Sequence, residues 1–446
     1  MISDSEPPVG GPDRRRFLAD HPRPPPLNPY NGAMGSSPSD SLAADIVVAG
    51  RGAIGVSVAL AVARLGRSVI LVGPAPSARA QPAPGLDPRV FAISSPSAAL
   101  LRSLGVWQAL DPARTSPVQR MRVLPSSAAA ASALEFDAYE AAVDSLASIV
   151  EGEELARVLE QALRFSAVRV LDSAVSALEN PSGSHARLRL ADGREIQAKL
   201  VVAADGAQSV VRSLAGIEAT FSDYGQTALV GSYLTAKPHR DTAFQWFGEH
   251  GILALLPLPD APSADPPGYR GRVSMVWSAP NDLADELSAL PAEALAARVC
   301  ALTGDALGVL APLSDTARYP LRMGRVGTLI GQRLALVGDA AHVVHPLAGQ
   351  GMNLGFGDVV ALRDALAGAP DPGIRSVLRR YERSRAEPVL ALRVVTDGLQ
   401  RLFDSSRIAT LGPLAPPLVL ARDLGWRLVA ASPFLRRHLA AQAGRL

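Results

Sequence analysis

The densest chemistry in the chain lies in Gly338-Asp339-Ala340-Ala341-His342 and in His345-Pro346-Leu347-Ala348-Gly349-Gln350-Gly351-Met352-Asn353-Leu354-Gly355-Phe356-Gly357-Asp358. A carboxylate presented by a glycine turn accepts hydrogen bonds from sugar hydroxyls. Free N–H groups at a helix start stabilise negative charge. The combination suits a phosphorylated or electron-rich cofactor. The elements that must hold it adjoin it in sequence. Leu334-Ala335-Leu336-Val337 is an apolar run that reads as a buried strand, and the segment from about Met352 to Leu366 reads as a helix.

A second glycine turn stands near the start. Ile46-Val47-Val48-Ala49 reads as a buried parallel strand, followed by Gly50-Arg51-Gly52-Ala53-Ile54-Gly55. A helix from Val56 to Leu65, closed by Gly66, and a strand from Ser68 to Val72 complete a βαβ unit. G-x-G-x-x-G in that position permits a tight turn and close approach to a pyrophosphate. The acid expected at the end of the second strand is missing: Val72 runs into Gly73-Pro74, and no acidic residue lies between Asp45 and Asp87. Either another group serves the ribose, or Arg67 or Arg79 accommodates a 2′-phosphate and the site takes NADP. A third turn, Ala204-Asp205-Gly206, follows the apolar run Lys199 to Ala203 and leads to Arg212. Taken alone, Asp205-Gly206 is simply a turn before a helix.

The remaining pattern is mixed. Glu153 to Leu163 reads as a helix, and Val168 to Leu171 as a strand. Ala186 to Leu190 and Glu195 to Ala198 read as a hairpin about Asp192-Gly193. Between Thr227 and Ser278 short strands recur with Pro and Gly between them, which predicts an antiparallel sheet. After Asp358 the chain reads as mostly helical, with breaks near Pro370 and Pro416-Pro417. Residues 1–44 are proline-rich without apolar periodicity and read as disordered. Arg14-Arg15-Arg16 mimics an export signal, but no apolar stretch follows it, and Met34 is an alternative start. The formal charge of +2 gives no case for nucleic acid. The single cysteine, Cys300, excludes an intrachain disulfide and a Cys-based metal site, and fits a reducing, cytoplasmic setting. No metal is expected at His342 and His345, which lack a third ligand.

Three motifs in order, Gly50-x-Gly52-x-x-Gly55, Asp205-Gly206 with Arg212, and Gly338-Asp339, resemble those of class A flavin monooxygenases of the para-hydroxybenzoate hydroxylase type. The stretch His345 to Asp358 resembles the signature of the ubiquinone-biosynthesis hydroxylases within that class. Arg89-Val90-Phe91-Ala92-Ile93-Ser94 and Leu253-Ala254-Leu255-Leu256-Pro257 also resemble that group.

The resemblance implies an α/β fold, with a Rossmann-like FAD-binding domain interleaved with an antiparallel β-sheet substrate domain and a helical C-terminal region. The FAD-binding segments would be 45–115, 150–220 and 318–400. The substrate segments would be 116–149 and 221–317, with 401–446 the helical C-terminal region. It implies FAD contacts from Gly50, Gly52, Gly55, Arg89, Asp205, Gly206, Gly338 and Asp339, and from Pro346, Gly349, Gln350, Gly351, Met352 and Asn353. NAD(P)H would be the co-substrate, and a polyprenyl phenol would be hydroxylated with O2. The ending Phe356-Gly357-Asp358 leans toward ring position C5. A biosynthetic complex and peripheral contact with the inner membrane are further expectations.

Two alternatives stay open: an aromatic-catabolism hydroxylase of the same fold, and a non-catalytic flavin-binding subunit. No acid–base pair is named. His342 and His345 are either packed or beside the flavin. Trp246, Phe247 and Trp277 read as strand core.

Overall fold

Ile46, Val47, Val48 and Ala49 are all buried. Ile46 and Val48 join one apolar core, while Val47 and Ala49 join another. Alternation between two cores is what a strand covered on both faces produces. This strand, Leu42–Ala49, lies between Glu195–Ala203 and Val69–Val72 and runs parallel to both. Leu334–Leu336 extends the sheet on one side and Arg169–Leu171 on the other.

The computed structural model describes residues 42–75, 89–125, 133–179, 183–260, 267–344 and 350–403. All belong to the compact unit Asp40–Leu446. Most of the proline-rich extension, the stretch containing His345, Pro346 and Gly349, and the C-terminal region after Phe403 lie outside the described residues, as does Arg79.

Helices Ala53–Ala63, Gly152–Arg164 and Gln350–Leu366 close one face of the parallel sheet. In Gly152–Arg164 the buried Leu155, Val158, Leu159 and Leu163 recur at helical spacing, so a single stripe meets the sheet. Helix Arg375–Phe403 runs through Pro388 and packs on Gln350–Leu366.

Three elements differ from the sequence reading. The first strand begins at Leu42, inside the stretch 1–44 read as disordered, because Leu42 to Ala44 pair with Ile196 to Ala198. The predicted strands 195–198 and 199–203 are one strand, Glu195–Ala203, paired with Leu42–Ala49 over its length. No turn residue interrupts them, and Lys199 Nζ donates to Asp45 across the pair at 2.8 Å. The first helix starts at Ala53, because the last turn of the glycine motif is already helical: Val56 N–H donates to Gly52 O at 2.9 Å.

Among the described residues the second sheet has nine strands, with Ala219–Thr235, Gly271–Pro280, Gly251–Leu258 and Thr242–Gly248 adjacent and antiparallel at its centre. Strand Ala317–Val326 pairs with Ala219–Thr235 in this sheet. Alternation sorts its two faces. Phe244, Trp246, Leu253, Leu255, Met275 and Trp277 form a core with helices Asn281–Ser288 and Ala292–Thr303. Intervening residues, Gln245, Ala254 and Val276 among them, face a cavity. A three-stranded sheet, Val90–Ile93, Ala147–Glu151 and Thr115–Val118, lies alongside.

Candidate cofactor and substrate site

Three glycine turns far apart in sequence leave neighbouring strand ends. Ala49 pairs with Ala203, and Ala203 with Leu336. The segments Gly50–Gly52, Ala204–Gly206 and Val337–Asp339 therefore emerge side by side at the carboxyl edge of the parallel sheet. In open α/β sheets this crevice is where ligands bind.

The glycines divide by role. Gly50 has φ +114°, and a Cβ there would lie 2.2 Å from Ala204 O. A Cβ on Gly55 would lie 1.9 Å from Gly50 O. These two let turn, helix and neighbouring strand approach. Gly52 meets nothing within 4 Å on its Cβ side and lines the cavity. The helix beginning at Ala53 has no acidic residue in its first turn and no side-chain cap, so its first N–H groups remain available to an anion.

The Gly338 turn is held from beneath. Asp358 is fully buried. It accepts from Gly338 N–H at 2.8 Å, from His342 Nε2 at 2.8 Å and from Arg385 Nε at 2.6 Å. Burial pushes its carboxyl up, but His342, Arg385 and the Gly338 amide outweigh burial and hold it below the usual aspartate range. His342 is thus a packed residue. Arg212 is also buried and donates to Ala340 O at 3.0 Å and Ala207 O at 2.9 Å, tying the second turn to the third. Asp205 caps the following short helix, accepting from Ser209 Oγ and from Val211 N–H. Asn353 is buried; its side chain accepts from Ser94 N–H at 3.0 Å and donates to Ala92 O at 2.8 Å, fixing the Gln350–Leu366 helix to strand Val90–Ile93.

These walls enclose a cavity of about 470 Å³. Gly52, Ala53, Ile54, Gly206, Gly338 and Asp339 line one side. Arg89 to Ala92, with Gly351 and Met352, line another. The nine-stranded sheet forms the floor through Ala228, Val230, Gln245, Ala254, Val276 and Ser278. Asp339 opens into the cavity; the surrounding recess desolvates its carboxyl and raises it above the usual range, with His342 opposing and Asp358 adding to the rise.

At the end of the second strand, Arg51 occupies the space beside Gly73. A Cβ on Gly73 would lie 2.7 Å from Arg51 N and 2.8 Å from Arg51 Cβ. Arg51 itself is clamped by Glu160 through bonds of 3.0 and 2.7 Å. An acid at position 73 has no room in this backbone. Arg67 donates to Ala369 O. On the adjacent strand end, Asp172 accepts from Ala75 N–H at 2.9 Å.

Of the residues named from sequence, Gly52, Arg89, Gly206, Gly338, Asp339, Gly351 and Met352 line the cavity, while Gly50, Gly55, Asp205 and Asn353 shape its walls. Gln350 begins its helix. Trp246 and Trp277 are core, and Trp277 Nε1 donates to His250 O at 2.8 Å. Phe247 belongs to a separate small cluster. Sequence reasoning missed Arg385, Glu160 and Gln245. Only Gln245 left a signal, as the one polar residue within Ala243-Phe244-Gln245-Trp246-Phe247.

Three convergent glycine turns on a parallel sheet, beside a helix start and a cavity-lining aspartate, define a dinucleotide-binding oxidoreductase. The comparisons agree with that class. The FAD binding domain family model matches residues 43–394. The ubiquinone hydroxylase UbiL of Rhodospirillum rubrum is 36% identical, over 86% of this chain and 85% of that protein. The 3-demethoxyubiquinol 3-hydroxylase of Escherichia coli is 32% identical, over 88% and 96%. Among solved structures, p-nitrophenol 4-monooxygenase PnpA of Pseudomonas putida superposes with a TM-score of 0.68 at 18% identity, covering 90% of this chain and 98% of that one. PqsL of Pseudomonas aeruginosa gives 0.66 at 23%, over 82% and 99%; these two likenesses speak to the fold. The chain belongs to the FAD-binding monooxygenase family and, within it, to the group of ubiquinone hydroxylases. Its cofactor is FAD. Among the described residues, no helix is long and apolar enough to cross a membrane.

Proposed function

We propose that this chain hydroxylates the aromatic ring of a polyprenylated phenol in ubiquinone biosynthesis, consuming NAD(P)H and O2. The observation that carries the reading is the cavity. An apolar sheet face stands opposite the glycine turns, so a ring held on that face confronts the cofactor side. The names of the relatives supply the substrate class.

The parallel sheet with its helices would be the FAD-binding part, and the nine-stranded sheet the substrate-binding part. Gly52 and the first N–H groups of the Ala53–Ala63 helix would meet the pyrophosphate. Asp339 would accept from ribityl hydroxyls. Gly206, Gly351 and Met352 would border the ring system, with Arg89 on its flank. Gly50, Gly55, Asp205 and Asn353 would serve by shaping those contacts. Pro346, Gly349 and Gln350 remain proposed contacts from the family signature. Bound FAD supplies the electron transfer from NAD(P)H and the activation of O2 that ring hydroxylation needs. The protein's own residues orient the ring and keep water from it. The apolar floor of Ala228, Val230, Ala254 and Val276 does the latter.

The test is lipid analysis of a strain lacking the gene. The expected result is loss of ubiquinone with accumulation of a prenylphenol precursor. Normal ubiquinone in a strain without a redundant hydroxylase rejects the reading. Purified protein that couples NAD(P)H oxidation to hydroxylation of a small phenol, and not of a prenylphenol, would instead favour aromatic catabolism.

A further inference from the structure

Gln245 is the only carboxamide lining the cavity among the described residues. It is 4% exposed, on the cavity face of strand Thr242–Gly248. Its neighbours in register are apolar. Gln245 pairs with Ala254, Ala254 with Val276, and Val276 with Val230, and all four line the cavity. An amide set among such apolar neighbours adds nothing to the packing of the wall, and a methionine of similar length would fill the position without desolvating a polar group. The other face of the same strand carries Phe244 and Trp246, stacked at 5.8 Å in the core, so the strand cannot turn Gln245 elsewhere without exposing them.

The carboxamide of Gln245 is thus presented to a ligand on the cavity floor. A carboxamide donates and accepts at once. A phenol does the same: its O–H donates and its oxygen accepts.

Resting on the substrate class given above, we infer that Gln245 recognises the free ring hydroxyl of the phenol and fixes which ring carbon faces the cofactor side. The phenol O–H donates to Oε1, and Nε2–H donates to a ring oxygen. The amide moves no proton. It determines orientation and distinguishes a free phenol from its O-alkylated form. Ser278 and Tyr319, the hydroxyl-bearing residues of the lining among the described residues, stand on other strands of the same sheet.

The test uses the FAD-loaded protein with two probes, 2-methoxy-6-prenylphenol and its methyl ether. Binding is read from the perturbation of the flavin absorbance, and turnover from hydroxylated product against hydrogen peroxide released. The wild type should bind the phenol about five- to tenfold more tightly than the ether, the worth of one hydrogen bond. In Gln245→Met that preference should fall to about twofold or less, with more NAD(P)H oxidation diverted to peroxide. Gln245→Glu keeps an acceptor for the phenol and should keep the preference. It also serves as the second variant should Gln245→Met not load FAD, and a lost preference in it overturns the inference. Gln245→Met that holds FAD and discriminates like the wild type overturns the inference alone. A wild type whose flavin responds to neither probe, and which hydroxylates neither, overturns the substrate class and the inference with it.

Discussion

At the scale of single residues, the glycine motif contains two different demands that one substitution pair separates. Gly55→Ala puts a methyl 1.9 Å from Gly50 O. It should destabilise the flavin-free protein by about 1–3 kcal/mol or more, seen in its thermal melt. Gly52→Ala enters open space and should cost at most about 1 kcal/mol as a change of helix cap. It should nonetheless weaken FAD about tenfold or more by keeping the pyrophosphate off the backbone, measured by flavin titration of apoprotein. Asp339 makes a matching prediction. Asp339→Ala should weaken FAD by about one to two orders of magnitude. Because the cavity walls around it raise this carboxyl, it protonates at a higher pH than an ordinary aspartate. FAD affinity in the wild type should therefore begin to fall above the ordinary aspartate range as pH drops, and this limb should be missing in the variant.

At the scale of elements, the parallel sheet is fastened at its leading edge by Asp45. This residue accepts from Lys199 of the neighbouring strand and from Ser68 before the next one. The Lys199 bond, aided by Ser68, draws the Asp45 carboxyl down to about 2. A depressed folded value means the stabilisation is complete above the unfolded aspartate value of about 3.9 and is lost as pH falls toward 2. Asp45→Asn should flatten that part of an acid-unfolding curve and leave neutral behaviour little changed. Asp358 joins helix to helix at greater stake. Asp358→Asn leaves Arg385 buried without its charge partner and should cost about 3–5 kcal/mol in denaturant unfolding.

These elements were unevenly legible in the sequence. Ile46 to Ala49 and the helix with Leu155, Val158 and Leu159 announce themselves because burial on a regular element imposes a local period. The three glycine turns were legible as motifs. Their adjacency follows from strand register, which no local pattern encodes. The merged strand Glu195–Ala203 was divided because its two halves show different alternation, although one partner runs beside both. Gly73 could be seen as a departure, but its cause, Arg51 held by Glu160, is a contact between residues far apart in the chain.

At the scale of the whole molecule, the crevice is assembled from strand ends near residues 49, 203 and 336 and floored by a sheet built mainly from residues 219–326. A ligand that bridges such parts stabilises the folded state by mass action. FAD at a hundredfold above its Kd should add about 2.7 kcal/mol and raise the unfolding midpoint, with the increment growing logarithmically with concentration. A midpoint insensitive to added FAD in apoprotein would show that the crevice does not close around it. Gln245 belongs to this scale as well. Its strand position was readable, but the fact that it faces a cavity required both sheets.

The Asp358–Arg385 pair has a consequence for how the protein is made. The guanidinium that neutralises the support of the Gly338 turn lies 27 positions after the carboxylate, on a helix that docks only once it has been synthesised. Until Arg385 has emerged from the ribosome, Asp358 beneath the turn carrying Asp339 has only His342 and the Gly338 amide as partners. Flavin loading should therefore be a late event in the life of the chain, and a product truncated before Arg385 should retain flavin poorly, as flavin titration of the truncated protein checks.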